Sequence, residues 1–306
     1  MHSDELVVTA DTVRSLIDSQ LPHLAGLPLA RLPVSGSSNV LFRLGDELLV
    51  RLPRQPGGST IIAKEAKYLP LIASSVRVLL PEVVALGAPG VGYPECWSVV
   101  RWIDGQLPAV PVPPSPQATL LALDLAEVVG GLRSAVVPVA ALGDSTLRSY
   151  RARSVRAVDT DVRQYLSDCR AVPDLPLDLD ACERVWTDAV NVPEPPSDRP
   201  ASWVHGDLLA ENLLLHEGRL AAVLDFGALA VGEPSVDLVG AWELLGAEDR
   251  AVFRDALGID DAEWARGRAW ALAIAVMTFP YYWRTMPQRC ADRLVMARAV
   301  LSDHLS

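Results

Sequence analysis

Residues 203–215, W-V-H-G-D-L-L-A-E-N-L-L-L, set an imidazole, a carboxylate and an amide into an otherwise apolar run: His205, Asp207 and Asn212. A second carboxylate, Asp225, follows just before Phe226 and Gly227. Between them lie two short β-prone runs, N-L-L-L-H and R-L-A-A-V-L-D, joined by Glu217-Gly218. Such a pattern predicts a hairpin. A hairpin brings its ends together, so Asn212 and Asp225 are expected to face each other. An amide oxygen opposed to a carboxylate suits a hard cation, and Mg2+, which takes few protein ligands and completes its shell with phosphate oxygens, fits best. Asp207 then adds a carboxylate beside the metal, able to orient a substrate hydroxyl and accept its proton as a phosphoryl group is transferred.

The elements that must hold these residues read as two blocks. The first hundred residues are β-rich. N-V-L-F-R-L and E-L-L-V-R-L-P flank Gly45-Asp46, a tight hairpin turn. Residues 59–73 then carry Ile62, Ala66, Leu69 and Ala73 at helical spacing, with Ser59 or Thr60 available as a cap. P-E-V-V-A-L-G and W-S-V-V-R-W-I read as further strands. The proline-rich segment 107–116 is a connector, and the boundary is placed at 105/106, giving an N-terminal block 1–105 and a C-terminal block 106–306. Beyond it the pattern is helical over 117–136, 146–170, 178–191, 235–257 and 260–302, interrupted once by the hairpin segment 202–227. The fold class is therefore α+β, a β-rich lobe followed by a mostly helical one.

Composition narrows the function classes. The net charge of −11 disfavours nucleic acid as a partner, because phosphate contacts need clustered cations. The four cysteines, Cys96, Cys169, Cys182 and Cys290, show no metal-ligand spacing and read as reduced thiols. The first residues carry acids and no basic, apolar leader pattern, and the apolar run 269–283 is too short for a bilayer and contains Pro280, so a cytoplasmic protein with no membrane partner is expected. That run reads as a buried helix ending near the proline. Lys64 and Lys67 are the only lysines.

H-G-D-x-x-x-x-N followed by D-F-G resembles the aminoglycoside phosphotransferase family, small-molecule kinases with a bilobal protein-kinase-like fold. G-E-P-S-V-D-L (232–238) is similar to that family's downstream motif, with Glu233 where Asp is usual, and the resemblance runs through nearly the whole chain. It implies that ATP or GTP donates a γ-phosphate from the cleft between the lobes, with Asp207 catalytic and Asn212 and Asp225 on Mg2+. His205 and Asp237 would support the catalytic loop. The loop S-G-S-S-N (Ser35, Gly36, Ser37, Ser38, Asn39) would cover the phosphates with backbone amides and hydroxyls. Arg51 stands where protein kinases carry a lysine, as in the macrolide phosphotransferase branch, with Arg54 as an alternative and Glu65 as the partner of the strand cation. The stretch Arg101, Trp102 and Ile103 resembles the hinge that reads the base through its backbone.

The acceptor is a small-molecule hydroxyl, with an antibiotic of the aminoglycoside or macrolide class expected and a monomer or dimer as the working unit. A metabolite kinase acting on a sugar, amino alcohol or nucleoside-like acceptor, and a nucleotide-binding pseudokinase, are the alternatives. Asp159, Asp161 and Asp168 are candidate acceptor contacts, and Tyr281, Tyr282 and Trp283 either line a pocket or pack in the core.

Overall fold

The computed structural model describes residues 5–33, 38–196 and 198–305. The chain forms two compact units, one of Met1–Ser74 with Leu79–Asp104, the other of Ser75–Val78 with Gly105–Ser306.

The first unit is built on one antiparallel sheet of five strands, β1 (Leu29–Arg31), β2 (Asn39–Leu44), β3 (Leu48–Pro53), β4 (Val83–Gly87) and β5 (Trp97–Arg101), in the order β1-β2-β3-β5-β4. Alternation in β2 and β3 turns Val40, Phe42, Leu44, Leu48, Val50 and Leu52 into a common core, which Val13, Leu16 and Ile17 join from α1 (Ala10–Gln20). That helix, started by Thr9 accepting from the Thr12 amide at 3.1 Å, has no counterpart in the β-rich reading of this block. Leu44 pairs with Leu48, so the β2–β3 loop spans three residues rather than the expected two.

α2 (Ser59–Ile72) buries Ile62, Glu65, Tyr68, Leu69 and Ile72, whereas Ala66 is half-buried and Ala73 exposed. Ile62 and Leu69 of the expected face are thus buried, and the face extends to Glu65, which pairs with Arg51 of β3. Neither Ser59 nor Thr60 caps the helix. Glu95 does so from a distance, accepting from the amides of Gly57 at 2.9 Å and Ser59 at 2.8 Å.

The second unit is mainly helical: α3 (Pro116–Ser134), α4 (Val139–Gly143), α5 (Asp159–Cys169), α6 (Leu179–Asn191), α7 (Gly240–Leu244), α8 (Ala247–Leu257), α9 (Asp261–Tyr282) and α10 (Pro287–His304). Two small sheets interrupt it. β6 (Ser202–Val204) pairs with β9 (Ala230–Gly232), and β7 (Leu213–His216) pairs with β8 (Arg219–Val223), both antiparallel. The centre is α9, apolar nearly all round, with Trp270, Leu272, Val276 and Phe279 all buried. Pro280 lies inside it, two residues before its end.

Three of the long helical expectations break. Residues 146–170 form short 3-10 turns before α5 begins, 235–257 divides into a 3-10 turn, α7 and α8, and 260–302 divides into α9 and α10. In the first two a local side-chain–backbone bond starts a short turn, as where Ser149 accepts from the Arg151 amide at 3.2 Å, and in the third Pro287 opens a new helix. No helix among the described residues is long and apolar enough to cross a membrane. All four cysteines are free thiols.

Candidate active site

Strand β6 ends at Val204, and the chain must then turn sharply to expose a side chain. Gly206 makes that turn at φ +81°, and a Cβ there would meet the Ala228 carbonyl oxygen at 3.0 Å. The loop that follows is clamped by Asp237, buried in the 3-10 turn Pro234–Leu238. Its two carboxylate oxygens accept from the amides of His205 at 2.8 Å and Gly206 at 2.7 Å. Glu233 starts that turn by accepting from the Ser235 amide at 3.2 Å. Glutamate thus does here what an aspartate cap does with one methylene fewer.

His205 is fully buried. Its Nε2 meets the Leu224 carbonyl at 3.0 Å, and its Nδ1 accepts from the Asp207 amide at 3.1 Å. A carbonyl accepts only, so Nε2 carries the proton, and both ring nitrogens are engaged in holding backbone. Phe226 packs its ring edge-on against the imidazole, centroids 4.5 Å apart.

Asp207 retains 28% side-chain exposure at this turn. Asn212 is buried beside it and donates from Nδ2 to the Asp207 carbonyl at 2.8 Å and to Asp207 Oδ2 at 3.1 Å. With the amide nitrogen so occupied, Oδ1 of Asn212 accepts no bond among the described residues. Across the hairpin, the Leu224 amide donates to the Asn212 carbonyl at 2.8 Å. Asp225 comes next, in the left-handed region at φ +52°, where one carboxylate oxygen accepts from the Gly227 amide at 3.2 Å. The donor set offered at this hairpin end is one amide oxygen and one carboxylate, hard oxygens that suit Mg2+.

Three residues that sequence reasoning missed complete the site. Arg151 forms an ion pair with Asp207 Oδ1 and donates to the Gly206 carbonyl at 2.8 Å. Burial pushes the Asp207 carboxyl up, but Arg151, with Arg293 farther off, holds it below the usual carboxylate range. Glu243 on α7 accepts from the Ala210 amide at 2.7 Å and pairs with Arg293 of α10, which also bonds Glu211 at 2.6 Å. Glu243 had a signal, a lone carboxylate in the apolar run W-E-L-L; the two arginines look like any surface arginine in the sequence.

In the first unit, alternation puts Arg51 on the opposite face of β3 from Val50 and Leu52, where α2 presents Glu65. The guanidinium forks onto that carboxylate at 2.7 and 3.2 Å, and both side chains are buried. Arg54 is engaged elsewhere, with Glu5 and with the Asn39 carbonyl at 3.1 Å. Ser35, Gly36 and Ser37 lie outside the described residues; Ser38 accepts from the Arg54 amide at 2.9 Å, and Asn39 opens β2 with its side chain buried.

At 101–103 the Arg101 amide donates to Glu82 and the Trp102 amide to Glu47, while that of Ile103 donates to no described residue. Arg43 stacks on the Trp102 ring, 3.9 Å from its centroid.

The candidate acceptor contacts are not gathered at Asp207. Asp159 accepts from Arg163 and from Trp186 Nε1 at 2.7 Å, Asp168 from Gln164 at 2.8 Å, and Asp161 is exposed on α5. Core packing describes Trp283, whose ring meets the buried Phe279 edge-on at 6.1 Å, better than it describes the two tyrosines, Tyr281 and Tyr282. The helix turns Phe279 inward, leaving Tyr281 56% exposed and its two successors half-buried.

A family described as the phosphotransferase enzyme family matches residues 30–270. Among solved structures, the GDP complex of wild-type aminoglycoside 2'-phosphotransferase-IIIa superposes with a TM-score of 0.70 at 19% identity, covering 97% of this chain and 100% of that one. Macrolide 2'-phosphotransferase MphH from Brachybacterium faecium gives a TM-score of 0.61 at 20% identity, over 95% and 98% of the two chains. The streptomycin–ATP ternary complex of APH(2")-IIa gives 0.59 at 17% identity, over 97% and 99%. These likenesses show the fold, a β-sheet N-lobe and a helical C-lobe. No curated protein matches the chain.

Proposed function

The chain belongs to the phosphotransferase enzyme family, and from that premise we propose that it transfers the γ-phosphate of ATP or GTP to a hydroxyl of an antibiotic of the aminoglycoside or macrolide class. The observation that carries this reading is the hairpin end itself. Asp207 is held by Asn212 on one oxygen, Asp225 follows the paired residue on the opposite strand, and Asp237 clamps the loop amides.

The acceptor hydroxyl donates to Asp207, which aims its oxygen at the γ-phosphorus. The new O–P bond forms as the bond to the β,γ-bridging oxygen breaks. That electron pair leaves with the nucleoside diphosphate, and the hydroxyl proton passes to the Asp207 carboxylate. Because the carboxyl is held below its usual range, Asp207 is a weak base, suited to receiving the proton late, once the new bond is forming. Asn212 and Asp225 would hold Mg2+, which supplies charge neutralisation at the donor phosphates when bound. Arg51, kept in place by Glu65, adds a permanent positive charge for those phosphates. His205 and Asp237 keep the loop backbone rigid. The Ile103 backbone and the Ser35–Asn39 loop are the remaining donor contacts. ATP and GTP are cytoplasmic, which assigns the reaction to that compartment.

Both carboxylates of the loop 206–212 are already matched, Asp207 by Arg151 and Glu211 by Arg293 and Arg289. That favours a macrolide, with few amines, over a polycationic aminoglycoside. The test combines purified protein, Mg-ATP or Mg-GTP, and a panel of both antibiotic classes, with mass spectrometry reading the gain of one phosphoryl group. Asp207→Asn should lower kcat by about 10²–10⁴-fold while Mg-nucleotide still raises the melting temperature. Failure of any Mg-nucleotide to shift the melting temperature, with no acceptor modified, overturns the reading.

A further inference from the structure

The loop 206–212, G-D-L-L-A-E-N, contains no lysine or arginine. The cation beside its carboxylate comes from a separate element, the 3-10 turn Tyr150–Ala152. From there Arg151 reaches Asp207 Oδ1 and the Gly206 carbonyl with the same terminal nitrogen, Nη1. Its Nε donates to the Tyr150 hydroxyl at 3.0 Å, which fixes the guanidinium plane. Its other terminal nitrogen donates to no described residue. The turn is not loose: the Ala152 carbonyl accepts from the Glu233 amide at 2.9 Å, and Glu233 caps the turn that carries Asp237. Arg151 and Asp237 therefore reach the catalytic loop from the same joined block.

The consequence is geometric. Asn212 holds Asp207 Oδ2 at 3.1 Å and Arg151 holds Oδ1. With a partner on each oxygen, the carboxylate can no longer rotate freely about its last bond, and its remaining lone pairs point in fixed directions. We propose that Arg151 is a positioning residue for the phosphoryl transfer: it sets the Asp207 carboxylate at the angle that receives the acceptor hydroxyl, and it acts through Asp207. This rests on the reading of Asp207 given above.

The test is a double-mutant cycle of the wild type, Arg151→Met, Asp207→Asn and the pair. kcat and KM are measured with Mg-ATP and Mg-GTP, using as acceptor any panel antibiotic that the wild type modifies, and water (slow nucleotide hydrolysis) in every case. Arg151→Met alone should lower kcat by roughly 10–100-fold, the scale of a misplaced reacting group, with the nucleotide KM within about twofold of wild type. In the Asp207→Asn background the same change should alter kcat by less than about twofold, because residues that act as a unit are not additive. Equal losses in both backgrounds, or no loss in either, overturn the proposal.

If Arg151→Met does not fold, Arg151→Lys and Tyr150→Phe carry the test, since both keep the positive charge. Lower kcat at unchanged KM in both supports the positioning role, and unchanged kcat in both overturns it. A wild type that hydrolyses no Mg-nucleotide and modifies no acceptor removes Asp207's role first, which separates that failure from failure of the Arg151 proposal.

Discussion

Asp225 sits at φ +52°, a conformation that costs a residue other than glycine about 1 kcal/mol or more. Asparagine tolerates that region almost as well, so Asp225→Asn separates backbone from charge. It should melt within a degree or two of wild type, yet require at least about tenfold more Mg2+ for half-maximal turnover, as a titration of activity against Mg2+ would read. The Arg51–Glu65 pair behaves differently because burial raises the stakes. Glu65→Ala removes the carboxylate that a buried guanidinium forks onto and should cost about 3–5 kcal/mol in a urea melt. At this scale the sequence is informative where chemistry is local. His205, Asp207, Asn212 and Asp225 lie within one hairpin, so spacing alone brings them together. Arg151, Glu243 and Arg293 reach the same place from three distant segments, and no spacing rule links an arginine at 151 to an aspartate at 207.

The hairpin β7–β8 is two short strands, too little to be stable alone, and must be fastened to something larger. α3 does this through Asp124, which accepts from the Leu220 amide at 3.0 Å and from Arg219 Nε at 2.8 Å. Burial pushes the Asp124 carboxyl up, but Arg219 and the Leu220 amide more than reverse it, so it lies below the usual range. A depressed carboxylate stabilises the fold above its unfolded value, about 3.9, and that contribution is lost as pH falls through the folded value. Arg219 is largely exposed, so its share is discounted, and what an uncharged side chain at 124 loses is chiefly the charge that strengthens the bond from the Leu220 amide. Asp124→Asn should therefore cost about 1 kcal/mol at pH 7, a melting shift of about 2–4 °C. The gap between variant and wild type should narrow as the melts are taken below about pH 4. The element scale also shows where periodicity misleads. Segments 146–170 and 235–257 carry apolar residues at helix-compatible positions, but Asp144, Ser149 and Glu233 each bond a nearby amide and start a short 3-10 turn in place of a long helix. The side chain–backbone competition that breaks these helices builds the turns presenting Arg151 and Asp237.

For the whole molecule, the division between units is not the single cut at 105/106 that the proline-rich segment suggests. That segment belongs to the second unit, where the Val112 amide bonds the Leu244 carbonyl at 2.9 Å, and the second unit also includes Ser75–Val78. Composition marks prolines but cannot mark a four-residue excursion of ordinary residues. The excursion leaves one stringent requirement: a Cβ on Gly131 of α3 would lie 2.2 Å from the Ser75 carbonyl oxygen. Gly131→Ala exchanges a helix-weakening residue for the best helix former, yet it should destabilise the protein by about 1–3 kcal/mol, because backbone must move to admit the methyl group. A thermal melt that rises instead would show that the contact yields.

Arginine at position 51 bears on how this protein can be detected. Lysine occurs only at 64 and 67, both on α2, with Lys64 buried and Lys67 against the Tyr68 ring. Nucleotide-derived probes that tag kinases by acylating an amine beside the donor phosphates meet no amine at residue 51, and a proteome survey built on them would pass this enzyme by. Dicarbonyl reagents, which condense with guanidinium groups, are the chemistry that reads the position. The Glu65 fork, and bound nucleotide with it, should slow that labelling.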